Sequence, residues 1–371
     1  MIRLTVFLCL FVAACGPVGP PRGAGPGGLP FAVTDERQLV VLTAEAPEVL
    51  ITEAEARGYV LLAQHPLPRL DDTMVVFRIP IDTTIPEAID EIEAAVPGVT
   101  AGANHLYRLQ SQGQARLDYA ASMIGWPDGG CVSRARVGMI DGGVAPGHPG
   151  LTSGQIVQDV FGDGSNAAAM DHGSRIAALL IGPGRLRGAP LYSANVVAEG
   201  DAAGVVPILR ALDWLAANEV RVVNISMAGP RNKLMNRALS RAVADGMVLV
   251  AAVGNDGPSA PPQFPAAFPF VLGVTAVGSD GAVFRNAGRG PHVDVAAPGV
   301  DVIVRDGARL RIASGTSMAV PFVTASIAAD ANLVRRPVEA IRRHFTATST
   351  DLGPAGRDTV FGAGLLQFAG C

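Results

Sequence analysis

The segment Ser314-Gly315-Thr316-Ser317-Met318-Ala319-Val320-Pro321 sets a hydroxyl between a glycine turn and an apolar run. A serine at a helix start can be an N-cap that satisfies orphan backbone N–H groups. It can equally be a nucleophile at the positive end of a helix dipole. Three other segments supply possible partners. Val137 to Val144 reads as an apolar strand that ends at Asp141 and runs into Gly142-Gly143. In open parallel sheets, ligands gather at the carboxyl ends of strands. Asp171-His172-Gly173 places an imidazole at the head of an apolar helix, with Gly173 leaving room beside the ring. Val250 to Gly257 ends an apolar strand near Asn255, whose side-chain amide can face developing negative charge. Taken singly, Asp141 and Asn255 are turn formers and His172 is a structural histidine. Together they are a nucleophile, a base, an orienting carboxylate and an oxyanion donor, the parts of an acyl-transfer site. There is no HExxH or CxxC for zinc, no GxSxG elbow around Ser317 and no GxxxxGK[ST] phosphate loop.

These residues need a scaffold that holds strand ends and helix starts together. From about Arg136 onward, short apolar strands alternate with helices, as in a parallel-sheet α/β domain. Strands are expected over 136–140, 190–197, 220–225, 247–253 and 271–277, and helices over 172–181, 206–218, 232–244 and 317–331. Met247 to Val253 is nearly all apolar, as a strand covered on both faces should be. Before residue 110 the order differs. Strands are expected over 38–43, 58–63 and 73–79, with a last one somewhere in 99–109. Helices are expected after the capping boxes at Thr52 and Thr84. The order β-α-β-β-α-β is that of a small ferredoxin-like unit with nothing catalytic in it. Polar, glycine-bearing residues 110–114 mark the boundary.

The chain has 371 residues, 49% of them hydrophobic and 17% charged, with a formal net charge of -4. That is ample for a large core and offers no basic surface for nucleic acid. Met1-Ile2-Arg3 followed by apolar Leu4 to Ala14 is too short to span a bilayer and reads as an export signal. Residues 16–30 are mostly Gly and Pro and cannot build a core. Cys131 and Cys371 would lie in an oxidising compartment after export, where they either pair or remain two buried thiols.

Over roughly residues 120 to 365 the chain resembles the subtilisin-like serine peptidases. Gly315-Thr316-Ser317-Met318-Ala319 with Pro321 matches the nucleophile motif of that family, and Met139 to Val144 the aspartate motif. His172-Gly173 with Ala177 matches the histidine motif, with Ser174 where the family usually has Thr. Ala252 to Gly257 matches the oxyanion-asparagine motif. The resemblance implies an α/β fold, a subtilisin-like three-layer domain with a mostly parallel central sheet, preceded by a small ferredoxin-like α+β prodomain. It implies a serine endopeptidase with catalytic Asp141, His172, Ser317 and Asn255. Ser226, Met227, Ala228 and Gly229 would bind substrate, as would Ala252, Val253 and Gly254. The small or apolar side chains there imply an apolar or broad preference. No metal or cofactor is implied, and no dense acidic loop offers itself to calcium. Val12-Ala13-Ala14-Cys15 resembles a bacterial lipobox. The expected organisation is a signal peptide over 1–14, a tether over 15–37, an inhibitor-like propeptide over 38–110 and a peptidase domain over 115–371. The partners are polypeptide substrates, the chain's own propeptide and, through a lipid anchor, a membrane; the peptidase itself would be a monomer. The implied place is the cell envelope, with secretion as the alternative. The rival reading is a subtilisin fold that no longer cleaves and serves as a surface binding module.

Overall fold

The computed structural model describes residues 33–44, 47–109, 119–151, 155–162, 167–198, 201–306 and 309–371. The signal, Cys15 with its lipobox, most of the tether and the boundary at 110–114 lie outside the described residues.

The first part of the chain forms β1 (Gln38–Thr43), α1 (Pro47–Ala56), β2 (Val60–Leu67), β3 (Asp72–Arg78), α2 (Ile85–Ala95) and β4 (Thr100–Ala103). Its four strands make one sheet in the order β2-β3-β1-β4. Thr84 caps α2 with the reciprocal bonds of a capping box, its hydroxyl accepting from Glu87 N–H and the Glu87 carboxylate from Thr84 N–H. Thr52 is not a cap. The helix starts earlier, at Pro47, a residue suited to a first turn, and Thr52 Oγ1 donates instead to the Glu48 carbonyl at 2.8 Å. The last expected strand divides in two. Thr100–Ala103 completes this sheet, while β5 (Tyr107–Leu109) leaves it to join strands of the second part.

The second part carries a seven-stranded parallel sheet in the order β16-β15-β14-β12-β7-β10-β8. These strands are β7 (Val137–Asp141), β8 (Ile156–Val160), β10 (Leu191–Asn195), β12 (Val222–Ile225), β14 (Val248–Ala252), β15 (Leu272–Val277) and β16 (Val295–Pro298). The major helices are α4 (Ala167–Ile181), α5 (Val205–Ala217), α6 (Lys233–Ala244), α7 (Thr316–Ala329) and α8 (Val338–Thr348). Short elements complete it: α3 (Ala120–Met123), β6 (Cys131–Val132), β9 (Leu186–Arg187), β11 (Ala202–Ala203), β13 (Met227–Ala228) and the hairpin β17–β18 (Val302–Asp306, Arg309–Ala313). Strand β14 shows why the sheet has three layers. Val248, Val250 and Ala252 enter the core under α4 and α7, and Leu249 and Ala251 enter the core under α5 and α6. A period-two backbone with apolar residues on both sides needs helices on both faces. Cys131 and Cys371 form a disulfide, tying the last residue to the edge of the domain.

The same reasoning explains β1, an unbroken apolar run in an antiparallel sheet. Leu39 and Val41 pack inside the N-terminal unit against Leu50, Ile85 and Ile92, whereas Val40 and Leu42 share a core with Leu234, Met235 and Ala238 of α6. The N-terminal sheet is therefore covered by its own helices on one face and by α5 and α6 on the other. Polar bonds fix this docking. Asp72, with a fully buried side chain, accepts from Arg237 Nη2 at 2.7 Å and Arg237 Nε at 3.0 Å, and Arg241 Nη1 stands 2.9 Å away.

Asn232 joins the two parts as well. Its Oδ1 caps α6, accepting from Leu234 and Met235 N–H, so its Nδ2 is oriented to donate to Ala103 O at 2.8 Å and to His105 Nδ1 at 3.1 Å. His105 Nδ1 must then be an acceptor, and burial holds the imidazole below its usual pKa. A neutral buried histidine contributes stability that is complete above the ordinary value near ~6.5 and is lost as pH falls below it. The uncut chain is expected to lose thermal stability between pH 7 and pH 5. Melting curves of Ser317→Ala protein with and without His105→Gln check this; the non-titrating variant should show the smaller acid loss.

Candidate active site

Asp141 is the last residue of β7 and is fully buried. Its Oδ1 accepts from Gly142 N–H at 2.7 Å and from His172 Nδ1 at 2.7 Å. His172 is not at the head of its helix. The helix starts at Ala167, so the imidazole projects from its second turn, and this sets its ring beside the end of β7. The approach depends on glycine at two facing positions. A Cβ on Gly142 would come within 2.0 Å of the Ala169 carbonyl oxygen, and one on Gly173 within 2.2 Å of the Gly142 carbonyl oxygen. Gly173 therefore makes room for backbone, not for the ring. Ser174 Oγ accepts from Ala145 N–H at 2.9 Å, which ties the same helix to the loop after Asp141.

Ser317 is the second residue of α7, and Gly315 stands at the N-cap with φ 154° and ψ 156°, a backbone setting suited to glycine. Pro321 lies four residues after Ser317 and has no N–H to give the Ser317 carbonyl. Ser226 Oγ donates to that carbonyl at 3.1 Å instead. Asn224 Nδ2 donates to Ser226 Oγ at 2.8 Å, and Thr324 Oγ1 to Asn224 Oδ1 at 3.3 Å. This chain of buried side chains fixes the backbone at Ser317. Thr324 was not visible as a site residue in the sequence; the proline inside an apolar helix was the available signal. Ser226→Ala leaves a buried carbonyl unsatisfied and is expected to cost about 1–3 kcal/mol of stability, measurable by denaturant unfolding.

Asn255 Oδ1 accepts from Thr316 N–H at 3.1 Å and Thr316 Oγ1 at 2.9 Å. With the oxygen pinned toward Thr316, the amide NH₂ faces the other way. Gly254 precedes it at φ 97°, with Gln263 Oε1 in the space a Cβ would need. Ala252 and Val253 are fully buried in the two cores, so what they can offer a ligand is backbone. His172 Nε2 and Ser317 Oγ are both buried and have no hydrogen-bond partner among the described residues. A buried carboxylate, an oriented imidazole, a serine hydroxyl and a preset amide are equipped for acyl transfer. Among the described residues, no three His, Cys, Asp or Glu side chains converge as metal ligands would.

Beside Ser226, the strand β13 pairs antiparallel with β5, and β5 pairs antiparallel with β11, giving a three-stranded sheet in the order β11-β5-β13. Arg108 stands opposite Ala228 and Leu109 opposite Met227. Met227 adjoins Ser226, which holds Ser317, so β5 runs toward the serine from the N-terminal unit.

Comparison with known proteins bears on the whole arrangement. Residues 133–364 match the model of peptidase family S8, the subtilase family. Minor extracellular protease Epr of Bacillus subtilis is 28% identical over 255 residues, 66% of this chain and 39% of Epr. Subtilisin DY of Bacillus licheniformis is 30% identical over 250 residues, 63% of this chain and 89% of that protein. The crystal structure of fervidolysin from Fervidobacterium pennivorans, described as a keratinolytic enzyme related to subtilisin, superposes with a TM-score of 0.74 at 20% identity. That match covers 92% of this chain and 61% of fervidolysin, so it takes in most of the N-terminal unit as well. The chain thus spans well under half of Epr and about three fifths of fervidolysin. Its sequence motifs, its three-layer fold and these matches agree, and the chain belongs to the subtilase family of serine endopeptidases.

Proposed function

We propose that Ser317 Oγ attacks the carbonyl carbon of a peptide bond while His172 Nε2 takes its proton. The tetrahedral intermediate would collapse with His172 returning that proton to the leaving amine, and water would then release the acyl group by the same route. Asp141 holds the Nδ1–H tautomer and stabilises the charged imidazole. The Asn255 NH₂ and the Ser317 N–H hold the oxyanion. The observation that carries this reading is the buried 2.7 Å contact of His172 Nδ1 with Asp141, beside His172 Nε2 and Ser317 Oγ, both buried and without a hydrogen-bond partner among the described residues. Ser226 to Gly229 would bind an extended substrate through backbone groups, as a strand added to an edge. The backbone around Ala252, Val253 and Gly254 would border the adjacent specificity pocket. The non-cleaving alternative finds no support in a site with all four groups present.

The N-terminal unit is read as a ferredoxin-like propeptide over 38–110 that occupies the cleft with its own C-terminal strand and makes the precursor a zymogen. Support comes from the register of β5 between β11 and β13, where a substrate strand would lie. Self-cleavage would fall within residues 110–118, just beyond Leu109, and release the peptidase domain. The lipoprotein reading rests on the Val12 to Cys15 motif alone. Mass spectrometry of the exported protein should find a diacylglyceryl group on Cys15; an unmodified N-terminus elsewhere would refute it. Among the described residues, no helix is long and apolar enough to cross a membrane.

The peptidase reading is tested by incubating purified wild-type protein with an unfolded protein and with a serine-reactive fluorophosphonate. Hydrolysis and labelling at Ser317 are expected, and their joint absence would overturn it. Asn255→Ala removes one of two oxyanion donors. It should lower kcat about 10²–10³-fold, the range found for this donor in subtilisin itself, with little change in KM.

A further inference from the structure

Ser314 opens the motif that carries Ser317, yet the chemistry set out above gives it no part. It is 2% exposed and stands where the hairpin β17–β18 runs into the turn before α7. Val302 and Ala313 are the last paired residues of that hairpin. One step beyond them a side chain takes over from the ladder. Ser314 Oγ accepts from Asp301 N–H at 2.7 Å and donates to Asp301 Oδ1 at 3.1 Å, so one hydroxyl uses both its roles on one residue. Asp301 is held at φ 55°, a left-handed setting that is uncommon for a residue with a side chain. The residues before it fix that setting. Gly299 and Val300 N–H both donate to Val277 O, at 2.9 and 3.2 Å. Tyr119 OH donates to Val300 O at 2.5 Å, with Val277 O 3.1 Å away. Gly299 O in turn accepts from Gly315 N–H at 2.8 Å. A Cβ on Gly299 would stand 2.9 Å from Ala319 Cβ and 3.0 Å from the Gly315 carbonyl oxygen, so this loop lies directly against the start of α7.

We propose that Asp301 and Ser314 are positioning residues for the nucleophile, a brace that sets the turn from which Ser317 emerges. This rests on the reading of Ser317 as nucleophile and oxyanion donor. The turn is restrained from two other directions already. Ser226 holds the Ser317 carbonyl, and Asn255 Oδ1 holds Thr316 N–H and its hydroxyl. Gly315, between Ser314 and Thr316, has no side chain to fix its own backbone, and its chain enters from the hairpin side. The contact of Ser314 with Asp301 closes that side. Without it the turn can drift, carrying Ser317 Oγ and N–H with it, and a displacement of about 1 Å at a reacting group can cost about 10²-fold in rate. The backbone that would bind substrate, Ser226 to Gly229, belongs to other elements. Loss of the brace should therefore slow turnover and leave substrate binding alone.

The test uses matured wild-type and variant proteins on one fluorogenic peptide. Active sites are counted by fluorophosphonate labelling, so that kcat is per site; a loss of stability alone changes the count of labelled sites and not kcat per site. Any variant that stalls as the precursor is cut by tagged wild-type protein, which is then removed. Ser314→Ala loses both bonds and is expected to lower kcat about 10- to 100-fold, with KM within about twofold of wild type. Asp301→Gly keeps the left-handed backbone and removes the side-chain acceptor, and should lower kcat about 3- to 10-fold. Asp301→Asn keeps an Oδ1 acceptor and tolerates the same φ, and should recover most of that loss. Ser314→Ala combined with Asp301→Gly should be no slower than Ser314→Ala alone, because the two residues act through one contact. A kcat within about threefold of wild type in Ser314→Ala, additive losses in the double variant, or losses carried by KM overturn the brace while the peptidase reading stands. If wild-type protein hydrolyses nothing and takes no label, the peptidase reading has failed and the brace falls with it.

Discussion

Ser317→Ala protein is expected to accumulate as the uncut chain, whereas wild-type protein made alongside it should lose the N-terminal unit. The substitution removes one oxygen from a fully buried position whose Oγ has no partner among the described residues, so it orphans none of their groups. Folding should survive, with the Ser226 bond to the residue's carbonyl intact, because that bond uses the backbone. Catalysis should not survive. Nucleophile and base act as a unit, and losing either costs about 10⁶ in kcat, a magnitude measured on subtilisin itself. His172→Ala is therefore expected to accumulate in the same form. Both proteins, purified away from host proteases, are followed by gel and by N-terminal sequencing over hours. If Ser317→Ala matures on the wild-type timescale, self-cleavage is wrong. If wild type matures and labels with fluorophosphonate at a serine other than Ser317, the nucleophile is wrong.

The candidate site residues were legible because each sits at a joint that leaves a local mark. An apolar strand ending in Asp141-Gly142-Gly143, a glycine-serine helix start and Gly254-Asn255 after an all-apolar strand are patterns with a backbone cause. The parallel sheet was legible for the same reason: strands such as Val248–Ala252 are apolar on both faces. Its edges were not. Ile156–Val160 carries mixed side chains, four of its five residues exposed, and Val295–Pro298 holds only four residues. Helix starts shifted where tertiary packing extended them, as at Ala167 ahead of His172. What local pattern could not show is long-range. The Ser226, Asn224 and Thr324 relay joins residues about a hundred positions apart. The fate of Tyr107 to Leu109 depends on strands far along the chain, and a three-residue strand has too little pattern to announce its partners. The unbroken apolar run of Gln38–Thr43 did carry a hint: one antiparallel sheet with helices on a single face needs alternation, and its absence meant a second surface to cover.

Asp141→Asn should slow maturation about 10⁴-fold while leaving the fold in place, the size of loss known for the equivalent exchange in a serine peptidase triad. The geometry gives the reason. Asp141 Oδ1 accepts two bonds, from Gly142 N–H and His172 Nδ1, and both donors approach the same oxygen. An asparagine can keep its oxygen there only by placing NH₂ at the site of Oδ2, which is buried with no hydrogen-bond partner among the described residues. If the amide flips, NH₂ meets Gly142 N–H donor to donor. It also forces His172 to accept at Nδ1 and carry its proton on Nε2, the nitrogen that must take the Ser317 proton. In both orientations the negative charge that stabilises the imidazolium is gone, within a site closed to water where such charge counts most. Asp141→Ala should be no better, since it also frees the ring to turn. The measurement is the half-time of loss of the N-terminal unit in Asp141→Asn against wild type, with circular dichroism to confirm the fold. A half-time within tenfold of wild type would remove Asp141 from the mechanism.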